Sequence, residues 1–146
     1  MTLKIATWNV NSIRIREGML ARFMATHAPD VLCLQETKVE DKDFPTELVT
    51  RLGFAHCLFS GEKSYNGVAI LSKTPLQWLG ATDMIGNGQK RHLAAELENG
   101  IRLHNFYVPA GGDIPDAALN QKFDEKLRFV TAMQDWSAQE VKPHHK

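Results

Sequence analysis

The chain has little of what marks several protein classes. Only two of its 146 residues are cysteines, Cys33 and Cys57, too few for a disulfide framework. Cys33 lies inside the apolar run Val31-Leu32-Cys33-Leu34 and reads as a small core residue, so reduced thiols in a cytoplasmic protein are expected. Neither sign of charge prevails: 17 Lys and Arg stand against 17 Asp and Glu, a formal net charge of +0. A free-standing nucleic-acid binder often carries a basic excess. Any contact with DNA must therefore come from local patches or a further partner. No stretch approaches the roughly 18 apolar residues that span a bilayer. Residues 1–11 carry no signal-peptide pattern, and no membrane partner is expected. Repeats, low-complexity tracts and linkers are missing too. Gly111-Gly112 has no P-loop lysine after it and reads as a loop turn. His27, His56, His92 and His104 show no metal-ligand spacing, so structural roles are their default.

What is present is a globular composition, 43% hydrophobic and 23% charged, at a length that suits one domain or part of one. Residues 3–8 alternate as a first strand and end in Asn9-Val10-Asn11-Ser12. Apolar residues at Ile15, Met19, Leu20, Phe23 and Met24 predict an amphipathic helix to about His27, stopped by Ala28-Pro29-Asp30. Residues 31–35 form a second strand. A strand–helix–strand unit of this kind joins parallel strands. A short helix is predicted over 45–52, then strands over 55–59, 67–72, 76–81 and 92–97. Asn99-Gly100 predicts a hairpin with a type I′ turn and a returning strand over 101–107. Pro115-Asp116 starts a last helix, which runs to about Trp136 or Ala138. Trp8, Trp78 and Trp136 are assigned to packing, and His144-His145 to a solvated tail.

The stretch Leu34-Gln35-Glu36-Thr37-Lys38 carries the most chemistry. A buried strand that breaks into an amide, a carboxylate, a hydroxyl and an ammonium sets polar groups at a sheet rim, where α/β folds place ligand sites. Glu36 suits a hard cation such as Mg2+, which takes oxygen ligands and keeps several waters. If the first two strands are neighbours, Asn9 reaches the same rim. Asn11 either assists a metal through water or caps the first helix, as Ser12 could. Lys63, Lys73, Lys90 and Arg91 form either a basic strip along loops or plain solvated charges.

Four stretches taken together carry a resemblance: Trp8-Asn9-Val10-Asn11-Ser12, Leu34-Gln35-Glu36-Thr37-Lys38, Asn66-Gly67-Val68-Ala69-Ile70-Leu71-Ser72 and Asn105-Phe106-Tyr107-Val108-Pro109. In this order and spacing they resemble the N-terminal half of the exodeoxyribonuclease III and AP endonuclease family, a branch of the endonuclease/exonuclease/phosphatase superfamily. The resemblance implies an α/β fold, the N-terminal half of a four-layer α/β/β/α sandwich, with residues 1–146 as part of a single domain. It implies Mg2+ (or Mn2+) as cofactor and hydrolysis of phosphodiesters in double-stranded DNA, at abasic sites and at 3′ ends. By motif position Glu36 resembles the metal carboxylate, Asn9 the amide that positions the scissile phosphate, and Tyr107 the active-site phenol. Lys38 is implied near the DNA backbone, and Arg91 is a candidate phosphate contact.

The second half of the family pattern is missing. No Gly-Asp-x-Asn and no Ser-Asp-His stretch occurs in the 146 residues. These supply the Asp and Asn beside the phosphate and the catalytic His with its Asp partner. The chain alone is therefore expected to be weak or inactive and to need a complementary C-terminal half. Two other readings stand beside this one: a non-catalytic fragment, and a superfamily phosphodiesterase acting on a non-DNA substrate.

Overall fold

A computed structural model describes residues 2–143. Four strands, β1 (Ile5–Asn9), β2 (Val31–Gln35), β3 (His56–Ser60) and β4 (Val68–Ser72), form one sheet in the order β1-β2-β4-β3. Three more, β5 (Leu76–Gly80), β6 (His92–Leu97) and β7 (Arg102–Phe106), form a second sheet in the order β5-β6-β7. β1 and β2 run parallel with Asn9 opposite Gln35, while β2 and β4 run antiparallel. The helices are α1 (Glu17–His27), α2 (Thr46–Arg51) and α3 (Gln121–Glu140). No helix among the described residues is long and apolar enough to cross a membrane.

Alternation along β2 explains the layering. Leu32 and Leu34 join a core with Leu20 of α1 and Leu48 and Val49 of α2. Val31 and Cys33 point the other way, into a second core with Ile70 of β4 and Leu93, Ala95 and Leu97 of β6. Every residue of β2 and β4 is buried, as a strand covered on both faces requires. Burial pushes the Cys33 thiol up to about 11, which keeps it protonated and inert. α3 closes the far side, where Trp136 packs edge-on against His104 and Phe106. The layers thus run helix, sheet, sheet, helix.

Several boundaries differ from the sequence reading, each for a local reason. The hairpin between β6 and β7 places its left-handed residue at Gly100 (φ 81), and neither Glu98 nor Asn99 has a positive φ. Gly100 N–H bonds to the Leu97 carbonyl at 2.9 Å, so this is a three-residue loop with the left-handed residue last, not a type I′ turn. α3 begins at Gln121, capped by the Asn120 side chain on Lys122 N–H. Asp116 instead closes a turn by accepting from Ala118 N–H at 2.9 Å. Trp78 is 48% exposed, because β5 is the outer strand of its sheet. His144 and His145 lie outside the described residues.

Under α3 sits a pair of imidazoles. Thr82 N–H donates to His92 Nδ1 at 3.1 Å, so neutral His92 carries its proton on Nε2, 3.2 Å from His104 Nδ1. Burial, followed by the neighbouring His104, lowers His92 from 6.5 to about 4. Its stabilising share is whole above pH 6.5 and falls away as acid reaches about 4. Chemical denaturation should show a loss of about 3 kcal/mol across that window. His92→Leu should flatten the slope, and identical slopes in the two chains would refute the assignment.

Candidate active site

Two strand ends from the first sheet and one from the second converge. Residues 36–38 leave β2 in an alternating backbone, Glu36 and Lys38 both at φ 55. Side chains other than glycine seldom adopt that region, and such residues cluster at functional sites. Here four backbone bonds hold the turn. Glu36 and Thr37 carbonyls accept from Ser12 and Ile13 at 2.7 and 3.2 Å; Thr37 and Lys38 N–H groups donate to Gly67 and Asn66 carbonyls at 3.2 and 2.9 Å. Asn11 and Ser12 are left-handed too (φ 43 and 83). Neither caps α1, which has no side-chain cap. Thr37 points inward, 1% exposed, while Glu36 and Lys38 meet at the rim.

Glu36 is the hub. Its Oε1 accepts from Asn9 Nδ2 at 2.9 Å and from the Tyr107 hydroxyl at 2.5 Å. Its Oε2 lies 3.3 Å from Lys38 Nζ. Lys38 Nζ also donates to Asn11 Oδ1 at 2.5 Å, and Asn11 N–H donates to Asn9 Oδ1 at 3.1 Å. Burial alone would raise the Glu36 carboxyl, but the bonds from Tyr107, Asn9 and Lys38 outweigh it and hold the group below the usual carboxylate range. Tyr107 moves the opposite way: burial, then the bond to Glu36 and its charge, raise the phenol against a smaller pull from Arg91. A charged carboxylate beside a neutral phenol thus persists over a wider pH range than free side chains allow.

Of the six residues singled out in the sequence, Asn9, Asn11, Glu36, Lys38 and Tyr107 form one connected network. Arg91 stands behind it. Its guanidinium lies 4.5 Å over the Tyr107 ring, with Nε donating to Gln89 Oε1 at 2.6 Å. Stacking of this kind fixes the ring and leaves charge beside it. Sequence reasoning passed over Gln35 and Asn105, two buried amides beneath the network. For Gln35 the available signal was an amide in the inward phase of the otherwise apolar β2, a position strands disfavour.

The donor chemistry fits a hard divalent cation. The Lys38 ammonium stands where a cation would, between Glu36 Oε2 and Asn11 Oδ1. Both ligands are oxygens, which suits Mg2+ or Mn2+ over softer metals. No group of three or more His, Cys, Asp or Glu able to hold a metal occurs among the described residues. One carboxylate with amide oxygens instead suits an ion that keeps most of its water.

Residues 6–141 match the model of the Endonuclease/Exonuclease/phosphatase family. The chain is 33% identical over 143 residues to exodeoxyribonuclease III of Haemophilus influenzae, covering 94% of this chain and 52% of that protein. It is 35% identical over 116 residues to the DNA repair nuclease APEX1 of Danio rerio, covering 73% of this chain and 36% of that one. An AP endonuclease from Archaeoglobus fulgidus superposes with TM-score 0.84 at 37% identity, over 97% of this chain and 53% of that one. The 3′ phosphatase NExo from Neisseria, bound to product DNA hairpin, gives 0.82 at 34%, over 98% and 54%. The chain covers about half the length of three of these relatives and 36% of the Danio rerio protein. The family match over residues 6–141 and the likeness to these relatives show that the chain belongs to the endonuclease/exonuclease/phosphatase family.

Proposed function

We propose that this chain supplies the metal-binding and phosphate-facing half of a DNA-repair nuclease of the exonuclease III type. The observation that carries the proposal is the convergence on one carboxylate, where Asn9, Tyr107 and Lys38 all reach Glu36. Bound through Glu36, with Asn11 beside it, Mg2+ or Mn2+ would supply neutralisation of the charge that develops on the phosphate. Asn9 offers amide protons to a non-bridging oxygen without adding a competing charge. Tyr107 keeps its proton at neutral pH and donates it in a hydrogen bond. Lys38 is the cation at the rim of the set and suits the phosphate backbone. Arg91 orients the Tyr107 ring and adds positive potential behind it. The substrate is double-stranded DNA with abasic sites or 3′ ends, and the setting is cytoplasmic. The groups that activate water and hold the far side of the phosphate are not in this sequence, so the 146 residues alone should be nearly inert.

A chimera tests this. Residues 1–146 joined to the C-terminal half of the Haemophilus relative should nick abasic duplex DNA with Mg2+ and stop with a chelator. The 146-residue chain should show less than about a thousandth of that rate, since members of such a constellation act as a unit. A folded chimera inert on DNA but active on phospholipid headgroups would replace DNA with a different phosphodiester substrate.

A further inference from the structure

Glu36 and Tyr107 end strands of different sheets, 71 positions apart. The apolar contacts between the sheets, Val31, Cys33 and Ile70 against Leu93, Ala95 and Leu97, carry no direction and tolerate small slides. One polar feature crosses the same interface. Asn105 of β7 is 3% exposed and Gln35 of β2 is 9% exposed. Asn105 Nδ2 gives one bond to the Leu34 carbonyl and another to the Ala69 carbonyl, each 2.9 Å. Its Oδ1 accepts from Gln35 Nε2 at 2.7 Å, and Gln35 Nε2 also donates to Thr7 Oγ1 at 2.9 Å. Two carboxamides therefore tie β1, β2 and β4 to β7.

Only one orientation of each amide works. Turning Asn105 over would set its oxygen against two carbonyls and its NH2 against that of Gln35. Bonds of this kind weaken steeply with distance and angle, and their loss leaves buried polar groups unpaired. They fix spacing and register where apolar contacts do not. Their place in the chain is telling: Gln35 directly precedes Glu36, and Asn105 lies two residues before Tyr107. The side-chain hydrogen bonds of both amides go to other groups than the Glu36 carboxylate and the Tyr107 hydroxyl.

We propose that Gln35 and Asn105 are positioning residues whose carboxamide bridge sets the separation of the β2 and β7 ends and so keeps the Tyr107 hydroxyl on Glu36. The proposal rests on reading Glu36 and Tyr107 as the working pair of the site. Its test does not depend on DNA cleavage. Tyrosine labelled with 13C at Cζ gives two signals, from Tyr65 and Tyr107, which Tyr65→Phe assigns. Glu36→Ala fixes the position of Tyr107 without its acceptor. In folded Asn105→Leu the Tyr107 signal should move most of the way to that position. The Mn2+ dissociation constant, read from the electron paramagnetic resonance of free Mn2+, should rise about tenfold, as loss of a supporting group around a metal site does.

Gln35→Met leaves both carbonyl bonds of Asn105 in place and should give a smaller shift in the same direction; it carries the test if Asn105→Leu does not fold. In the unmodified chain, the Asn105 carboxamide protons should exchange with solvent at least about 100-fold more slowly than those of exposed Asn87. A Tyr107 signal and an Mn2+ affinity unchanged in a folded variant would overturn the proposal, as would Asn105 exchange as fast as that of Asn87. A chimera that fails to cut DNA while these signals behave as stated would sink the nuclease reading and leave the bridge standing.

Discussion

Glu36→Gln should cut Mn2+ affinity by at least about 100-fold and the chimera's kcat/KM by at least about 1000-fold. The substitution keeps the side chain's length and one oxygen, so the Tyr107 hydroxyl retains an acceptor and packing barely changes. What disappears is a full negative charge whose partners are already in place, with Asn9 at 2.9 Å and Lys38 at 3.3 Å. In its absence Lys38 has no counter-charge, and a divalent ion would meet only neutral oxygens. Isothermal titration with Mn2+ and single-turnover cleavage read the two losses separately. Glu36→Asp divides the role further: it keeps the charge but draws it back by one methylene, away from Asn9 and Tyr107. Some metal affinity should survive in it, with most of the rate gone. A Gln variant that binds Mn2+ as tightly as the parent would move the metal site elsewhere.

Gly67→Ala should be strongly destabilising for the addition of a single methyl group. Gly67 sits at φ +91, and an added Cβ would lie 2.2 Å from Thr37 Oγ1 and 3.4 Å from Lys38 N. Thr37 is 1% exposed and β-branched, so it cannot swing aside. The left-handed backbone costs about 1–2 kcal/mol and the overlap about 1–3 kcal/mol more. Together they take a large part of the 5–15 kcal/mol that typically holds a domain folded. The carbonyl of Gly67 also accepts the Thr37 N–H, so relief of the clash must move the turn that carries Glu36. Urea denaturation should show a loss of about 2–5 kcal/mol, beyond that of Gly86→Ala, where φ is +68 and nothing lies within 4 Å. Adding Thr37→Ala should restore the overlap part. Equal losses at Gly67 and Gly86 would remove the steric account.

The order of strands and helices was legible because the apolar periods are clean: residues 31–35 and 92–97 are strands with the bounds the pattern gives. The meeting of Asn9 and Glu36 followed from one parallel crossover, since adjacent parallel strands end on the same rim. Tyr107 came from motif likeness alone; nothing in its spacing says that β7 lies in a second sheet above β2. The start of α3 was misplaced because proline followed by aspartate suits a tight turn as well as a helix start, and Asn120 offers the better cap. The left-handed backbone at Glu36 and Lys38 was invisible. Glu36 and Lys38 are not residue types that favour a positive φ, and only the bonds from residues 12, 13, 66 and 67 make that backbone tolerable. Gln35 and Asn105 stood in plain view as letters of motifs, but their partners lie 70 positions apart, beyond any local pattern.

That span also bears on the route by which the chain folds. Hairpins and the strand–helix–strand crossover close short loops, whereas the bridge between the sheets must surrender the entropy of a loop of 70 residues before any contact rewards it. Contacts of this length are expected to form late. The carboxylate therefore spends most of the folding path without its phenol. Weakening the bridge should thus hasten unfolding while leaving the folding rate nearly unchanged.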